Sequence, residues 1–250
     1  MITERISKLQ SVLESGAAAL ITSGSNRFYF TGFNSSAGQV LITSDSATLF
    51  IDSRYFEKAS AVVKSCDVVL SGGGVSAEAE IKAKKIKTLF IETSNVSLAE
   101  YNRLSSQLDG TAVSKDNLLD RLIGEMRAVK TPKELQNIRA AQQLTDKTFS
   151  YICERISAGR TEREVMLDME FFMRSLGSEG VSFDFIVVSG KNSSLPHGVP
   201  TNKKIEKGDF VTMDFGAVVN GYRSDMTRTV AVGNVNDEQQ RVYETVLKAQ

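Results

Sequence analysis

The chain has 250 residues, of which 41% are apolar and 24% charged, enough to bury one large core or two smaller ones. Lysine plus arginine equals aspartate plus glutamate at 30 each, so no net field attracts nucleic acid or an anionic membrane. The sequence contains no apolar run of about 18 residues, and its two cysteines, Cys66 and Cys153, lack the spacing of a thiolate metal site. We therefore expect a cytoplasmic globular protein with no nucleic-acid or membrane partner.

Short apolar runs alternate with helical patterns over the first 120 residues, which predicts an α/β domain with helices packed on a sheet. The strands are predicted at 18–22, 39–43, 47–51, 67–70 and 88–92, and the helices at 2–15, 54–64 and 97–107. A triple-glycine loop at 72–74 is interpreted as a surface loop, because no Lys-Ser/Thr pair follows it.

The second half begins with a helix start signal. Thr131 to Glu134 form a capping box with proline at the first helical position, and Thr161 to Glu164 repeat the capping pattern. Apolar stripes then predict helices that end near Gly159 and Gly177, followed by a strand at 183–190 and a hairpin. This pattern predicts an α+β domain. We place the domains at 1–125 and 126–250.

A hairpin is predicted over Val211–Thr229, which reads VTMDFGAVVNGYRSDMTRT. Asn220-Gly221 is a strong signal for a two-residue turn, because that turn needs positive φ at both positions. A turn centred there pairs Asp214 with Thr227. The polar face then carries Asp214 and the threonines, while the other face is apolar except for Ser224 and an arginine.

Two aspartates, Asp214 and Asp225, fall on the polar face as diagonal neighbours. Gly216, opposite Asp225, is expected to leave open space beside the carboxylates. On a solvated face the two charges would simply repel each other weakly through water. Alternatively, the carboxylates bind a divalent metal, which prefers hard oxygen ligands and reverses the local electrostatics.

His197 is the only histidine, and it lies in the loop 191–200 between Pro196 and Pro200. A single histidine in a loop is ordinarily a surface or capping residue. Beside a metal-bound carbonyl it could instead donate a hydrogen bond or shuttle a proton near neutral pH. Its place between two neighbouring strands favours the second interpretation.

The segment FDFIVVSG…TRTVAVG, residues 183–233, resembles the pita-bread metallopeptidases, specifically the Xaa-Pro aminopeptidase and prolidase branch. RAVKTPKELQNIRAAQQLTDKTF and ISAGRTEREV are similar to the first two helices of that family's catalytic domain. Residues 1–120, with DSRY at 52–55, resemble the creatinase-type N-terminal domain. The resemblance implies an α/β creatinase/prolidase-type domain followed by an α+β pita-bread catalytic domain, incomplete in this chain.

The resemblance also implies a dinuclear metal site, in which Mn²⁺ is the leading choice and Co²⁺ or Zn²⁺ are the alternatives. An enzyme with this site would cleave the peptide bond before proline. By motif, Asp214 would bind one metal and Asp225 would bridge both. His197 would contact the proline-containing peptide substrate and stabilise the tetrahedral intermediate. The resemblance also implies that the protein forms a homodimer.

The family's remaining ligands, one histidine and two glutamates, come from motifs downstream of the hairpin, and this chain has no second histidine. We therefore expect the N-terminal part of a longer enzyme, inactive by itself. The alternatives are a non-catalytic binding module, a creatinase-like hydrolase without metal, and a methionine aminopeptidase. The aspartate pair argues against the first two, and the N-terminal domain against the third. Metal identity and the choice between dipeptidase and aminopeptidase stay open.

Overall fold

The computed structural model describes residues 2–250, which form two compact units. One unit ends at Val129 and the other begins at Lys130. The predicted first domain begins at Met1, which lies outside the described residues. Within residues 2–250, none of the helices combines the length and the apolar character needed to cross a bilayer.

The first unit contains a six-stranded sheet in the order β4-β3-β2-β1-β5-β6. Strand β2 runs antiparallel to both of its neighbours, and the other adjacent strands are parallel. The five predicted strands are confirmed to within one residue. The six strands are β1 (Ala17–Ile21), β2 (Gln39–Thr43), β3 (Ala47–Ile51), β4 (Asp67–Leu70), β5 (Thr88–Ile91) and β6 (Ala112–Val113).

Helices cover both faces of this sheet, which explains why β1 is apolar at every position. Ala19 and Ile21 pack with one group of helices, while Ala18 and Leu20 pack with the other. The predicted α/β fold of this unit is therefore confirmed. The helices are α1 (Ile2–Gln10), α2 (Gly24–Thr31), α3 (Ser53–Val62), α4 (Ala77–Ala83), α5 (Leu98–Gln107) and α6 (Leu118–Ala128).

Three of these helices, α2, α4 and α6, were not expected from the apolar pattern. The first helix also ends at Gln10 rather than at residue 15. Beyond Gln10 the backbone forms hydrogen bonds between residues three apart, such as Val12 N to Leu9 O, as in a 3-10 turn. The triple-glycine loop leads into α4, a helix of seven residues capped by Ser76.

The second unit packs two helices against an antiparallel sheet in the order β11-β8-β7, beside a two-stranded ribbon. Its core joins residues of both helices to alternate residues of β8, and the predicted α+β fold is confirmed. The elements are α7 (Pro132–Cys153), α8 (Glu162–Ser175), β7 (Ile186–Ser189), a 3-10 turn (Gly190–Ser194), β8 (Phe210–Phe215), β9 (Val218–Val219), β10 (Tyr222–Arg223), β11 (Met226–Ala231) and α9 (Asp237–Ala249).

Both predicted capping boxes are present, at Thr131 and at Thr161. Helix α7 ends at Cys153, six residues before the predicted end near Gly159. The chain turns here because the Ile152 carbonyl accepts hydrogen bonds from the amides of Arg155 and Ile156. Strand β7 begins at Ile186, later than predicted. The last helix, α9, carries no buried residue.

Candidate metal site

The hairpin turn forms where the sequence predicts it. Val219 pairs with Tyr222, and the two residues between them, Asn220 and Gly221, take positive φ values of 48° and 75°. These are the backbone angles that an Asn-Gly turn of this type requires. The turn fixes the register of the strands that carry the two aspartates.

Asp214 lies on β8 directly opposite Thr227 of β11, as predicted. The Thr227 hydroxyl donates a 2.9 Å hydrogen bond to Asp214 Oδ1, which orients this carboxylate. Asp225, which precedes β11, has a pKa raised above its usual range. Partial burial contributes most, followed by the negative charge of Asp214 and a hydrogen bond between the two carboxyl groups. The two carboxyl groups are therefore close enough to repel each other.

The open space expected beside Gly216 is not there. A Cβ at this position would overlap the carbonyl oxygen of Ser224 and the hydroxyl of Ser182. The prediction was wrong because glycine here allows another part of the backbone to approach, rather than leaving a vacancy. Ser182 N donates to Gly216 O at 3.0 Å, so this close approach is held by a hydrogen bond.

Ser224 interrupts the apolar face of the hairpin because it joins the hairpin to the rest of the unit. Its hydroxyl lies 2.6 Å from that of Thr145 on α7 and accepts from Ala217 N at 2.9 Å. Its carbonyl accepts from Ser182 Oγ at 2.7 Å. These contacts fix the residue next to Asp225. The sequence pattern shows this interruption, but it does not show that Ser224 connects the hairpin to α7.

His197 is exposed and lies in the loop after β7, whose residue Ile186 pairs with Asp214. Among residues 2–250, no hydrogen bond joins the His197 ring to either aspartate. A buried carboxylate that the sequence did not reveal, Glu162, holds both ends of this loop. The structure thus brings the two aspartates together and places the histidine on an adjoining loop.

The aspartate pair fits a divalent cation. Two hard oxygen donors are held side by side although they repel, and that repulsion adds to partial burial in raising the pKa of Asp225. A cation between them would convert the repulsion into attraction. Within residues 2–250, no group of three or more histidine, cysteine or acidic side chains is placed to hold a metal.

The mixed-sheet domain and the α+β domain that follows it each match a known protein family. Residues 5–129 match the Creatinase/Prolidase N-terminal domain, and residues 136–250 match Metallopeptidase family M24. The chain belongs to metallopeptidase family M24, and its relatives include Xaa-Pro dipeptidases.

Three relatives illustrate the likeness. The chain is 38% identical over 234 residues to the "Uncharacterized peptidase YqhT" of Bacillus subtilis, covering 92% of this chain and 65% of that one. It is 34% identical to the Xaa-Pro dipeptidase of Pyrococcus horikoshii, covering 100% of this chain and 70% of that one. A solved Xaa-Pro dipeptidase from Bacillus anthracis superposes with a TM-score of 0.91 at 35% identity, covering 100% of this chain and 70% of that chain. The chain thus spans 65% to 70% of the length of these relatives.

Proposed function

We propose that this chain belongs to a metal-dependent exopeptidase that cleaves the peptide bond before proline, as an Xaa-Pro dipeptidase or aminopeptidase. The observation that carries the proposal is the Asp214–Asp225 pair, which the hairpin holds on one face despite the repulsion between the two charges. The Xaa-Pro dipeptidases among the relatives support the choice of substrate.

In this proposal the carboxylates of Asp214 and Asp225 would hold the divalent ions. The bound ions would supply a water of lowered pKa and polarise the scissile carbonyl. Thr227 keeps the Asp214 carboxylate in one orientation through its hydroxyl. His197, exposed on its loop, donates a hydrogen bond to the carbonyl oxygen of the proline-containing peptide.

The ions expected are Mn²⁺ first, then Co²⁺ or Zn²⁺, because an oxygen-rich donor set accepts several divalent metals. Two carboxylates alone bind such ions weakly, with water in the remaining positions. A homodimer is also expected from the family resemblance, and sedimentation analysis of the protein would test it.

Metal binding is tested with Mn²⁺, whose EPR signal weakens as the free ion is bound. The wild-type chain should reduce the signal, and Asp225→Asn should lose this effect. Asp184→Asn is the matched control, because Asp184 is an exposed aspartate of the same unit that lies outside the pair. Equal Mn²⁺ binding by the wild type and Asp225→Asn would show that Asp214 and Asp225 are not the metal site.

Activity is tested on the protein as its native cell produces it, with Mn²⁺ and an Xaa-Pro dipeptide. Release of proline should require the metal and should be lost in Asp225→Asn, while Asp184→Asn retains it. Metal-independent release, or unchanged turnover in Asp225→Asn, would overturn the metal mechanism.

A further inference from the structure

The carboxylate of Glu162 contacts both ends of the loop that carries His197. Its Oε1 accepts from Ser189 N at 2.7 Å and Ser189 Oγ at 2.9 Å, and more weakly from Asn192 Nδ2 at 3.3 Å. Its Oε2 accepts from Thr201 N at 3.0 Å and Thr201 Oγ1 at 2.7 Å. One oxygen thus holds the entry to the loop, and the other holds its exit.

Only a carboxylate can satisfy this arrangement, because every neighbouring group donates a hydrogen bond and both side-chain oxygens must accept. Glu162 is 0% exposed, and its burial is offset by its place in the first turn of α8, where the helix dipole favours negative charge. Lys203 Nζ adds positive charge nearby, since it donates to Ser189 Oγ at 2.9 Å and to Asp209 at 2.8 Å.

The middle of the loop has weaker support than its ends. His197 is exposed, and among the described residues its ring makes no hydrogen bond. Within the loop, Leu195 N donates to Asn192 O at 2.9 Å and Gly198 N donates to Leu195 O at 3.1 Å. The backbone position of His197 therefore depends on how firmly the two loop ends are held, together with the close approach of Val188 to the buried Gly198 beside it.

We infer that Glu162 is the positioning residue for His197: by holding Ser189 and Thr201 together, it fixes the loop that presents the histidine to substrate. This inference rests on the proposed function in assigning His197 to the substrate. The anchoring of the loop by Glu162 can be measured without metal or substrate, so the two ideas can fail separately.

The first test replaces Glu162 by Gln, which keeps the size but leaves one accepting oxygen, so one end of the loop must lose its partner. Glu164→Gln is the matched control: it removes the same charge from the same helical turn, but its carboxylate bonds only to Thr161 within the capping box. Amide hydrogen exchange at Leu195 and Gly198 should speed up about tenfold in Glu162→Gln and stay unchanged in Glu164→Gln.

The second test uses the protein as its native cell produces it. It measures kcat/KM with an Xaa-Pro dipeptide as substrate, and Mn²⁺ binding by EPR. Glu162→Gln should lower kcat/KM about tenfold with Mn²⁺ binding unchanged, and Glu162→Asp, which keeps both oxygens on a shorter side chain, should recover part of the loss. If Glu162→Gln does not fold, Thr201→Val removes one hydroxyl donor and should speed exchange at the exit of the loop alone.

Unchanged exchange in Glu162→Gln and Thr201→Val would overturn the anchoring role. Faster exchange with unchanged kcat/KM would overturn the link from the loop to the reaction. Equal Mn²⁺ binding by the wild type and Asp225→Asn would overturn the proposed metal site and leave the anchoring role of Glu162 standing. The two tests are separate because neither Asp214 nor Asp225 bonds to Glu162.

Discussion

The hydroxyl oxygens of Ser224 and Thr145 lie 2.6 Å apart, which ties the residue before Asp225 to the long helix α7. Both side chains are buried, at 4% and 0% exposure. The Ser224 hydroxyl also accepts from Ala217 N, so it satisfies a backbone donor of the hairpin. The position of Asp225 is therefore set by a polar contact in the interior of the unit.

Replacing Ser224 by Ala should destabilise the protein by about 2 kcal/mol, because it leaves the buried Ala217 amide and the Thr145 hydroxyl without this partner. Thr145→Val should cost about 1 kcal/mol, since it removes only one side of the contact. Urea denaturation of both variants and of the double variant measures the coupling. Strictly additive losses would contradict a direct interaction between the two hydroxyls.

Gly216→Ala should destabilise the same hairpin by about 1–3 kcal/mol, because the new methyl group would overlap the Ser224 carbonyl, and backbone cannot yield cheaply. Gly180→Ala is the matched control in the same unit: no atom lies within 4 Å of the position its Cβ would take. Chemical denaturation compares the two. Equal stability of both variants would mean that the close approach at Gly216 is not needed.

The elements that could be predicted from the sequence are those specified locally. The apolar run of β1 predicted a strand, the capping boxes placed the starts of α7 and α8, and the Asn220-Gly221 turn placed both aspartates on one face. Each of these signals lies within a few residues of the structure it specifies.

The features that could not be predicted depend on partners distant in sequence. Glu162 bonds to residues 27 and 39 positions away, so its neighbours in sequence show only a helix start. Helix α2 was missed because Arg27 lies on its buried side, where it donates to the Ser35 carbonyl at 2.8 Å and breaks the apolar stripe. The contact at Gly216 likewise needs two other segments of the chain.

Asp225→Asn should stabilise the metal-free protein by about 0.5 kcal/mol, because it removes one of two like charges on the same face. The wild type should gain thermal stability when Mn²⁺ replaces EDTA in the buffer, since an ion that binds only the folded state favours folding. The variant should gain little. Melting curves under both conditions test this, and a larger Mn²⁺ effect in the variant would place the ion elsewhere.

Acid should weaken the anchor formed by Glu162. Burial opposes ionisation of this carboxyl, but the hydrogen bonds donated by Thr201 and Ser189 together outweigh it and hold the pKa below the usual range. A carboxyl with a lowered folded-state pKa adds stability that is complete above its unfolded value of about 4.3, and that stability is lost as the pH falls through the folded value.

The difference in unfolding free energy between the wild type and Glu162→Gln should therefore stay constant from about pH 7 to pH 5 and shrink below about pH 4.3. The pKa of Glu164 is also lowered, by the amide and hydroxyl of Thr161, but its side chain is exposed, so Glu164→Gln should show a smaller difference at neutral pH. Urea denaturation at a series of pH values gives both curves. A difference that grows on acidification would mean that burial dominates at Glu162 and that its pKa is raised.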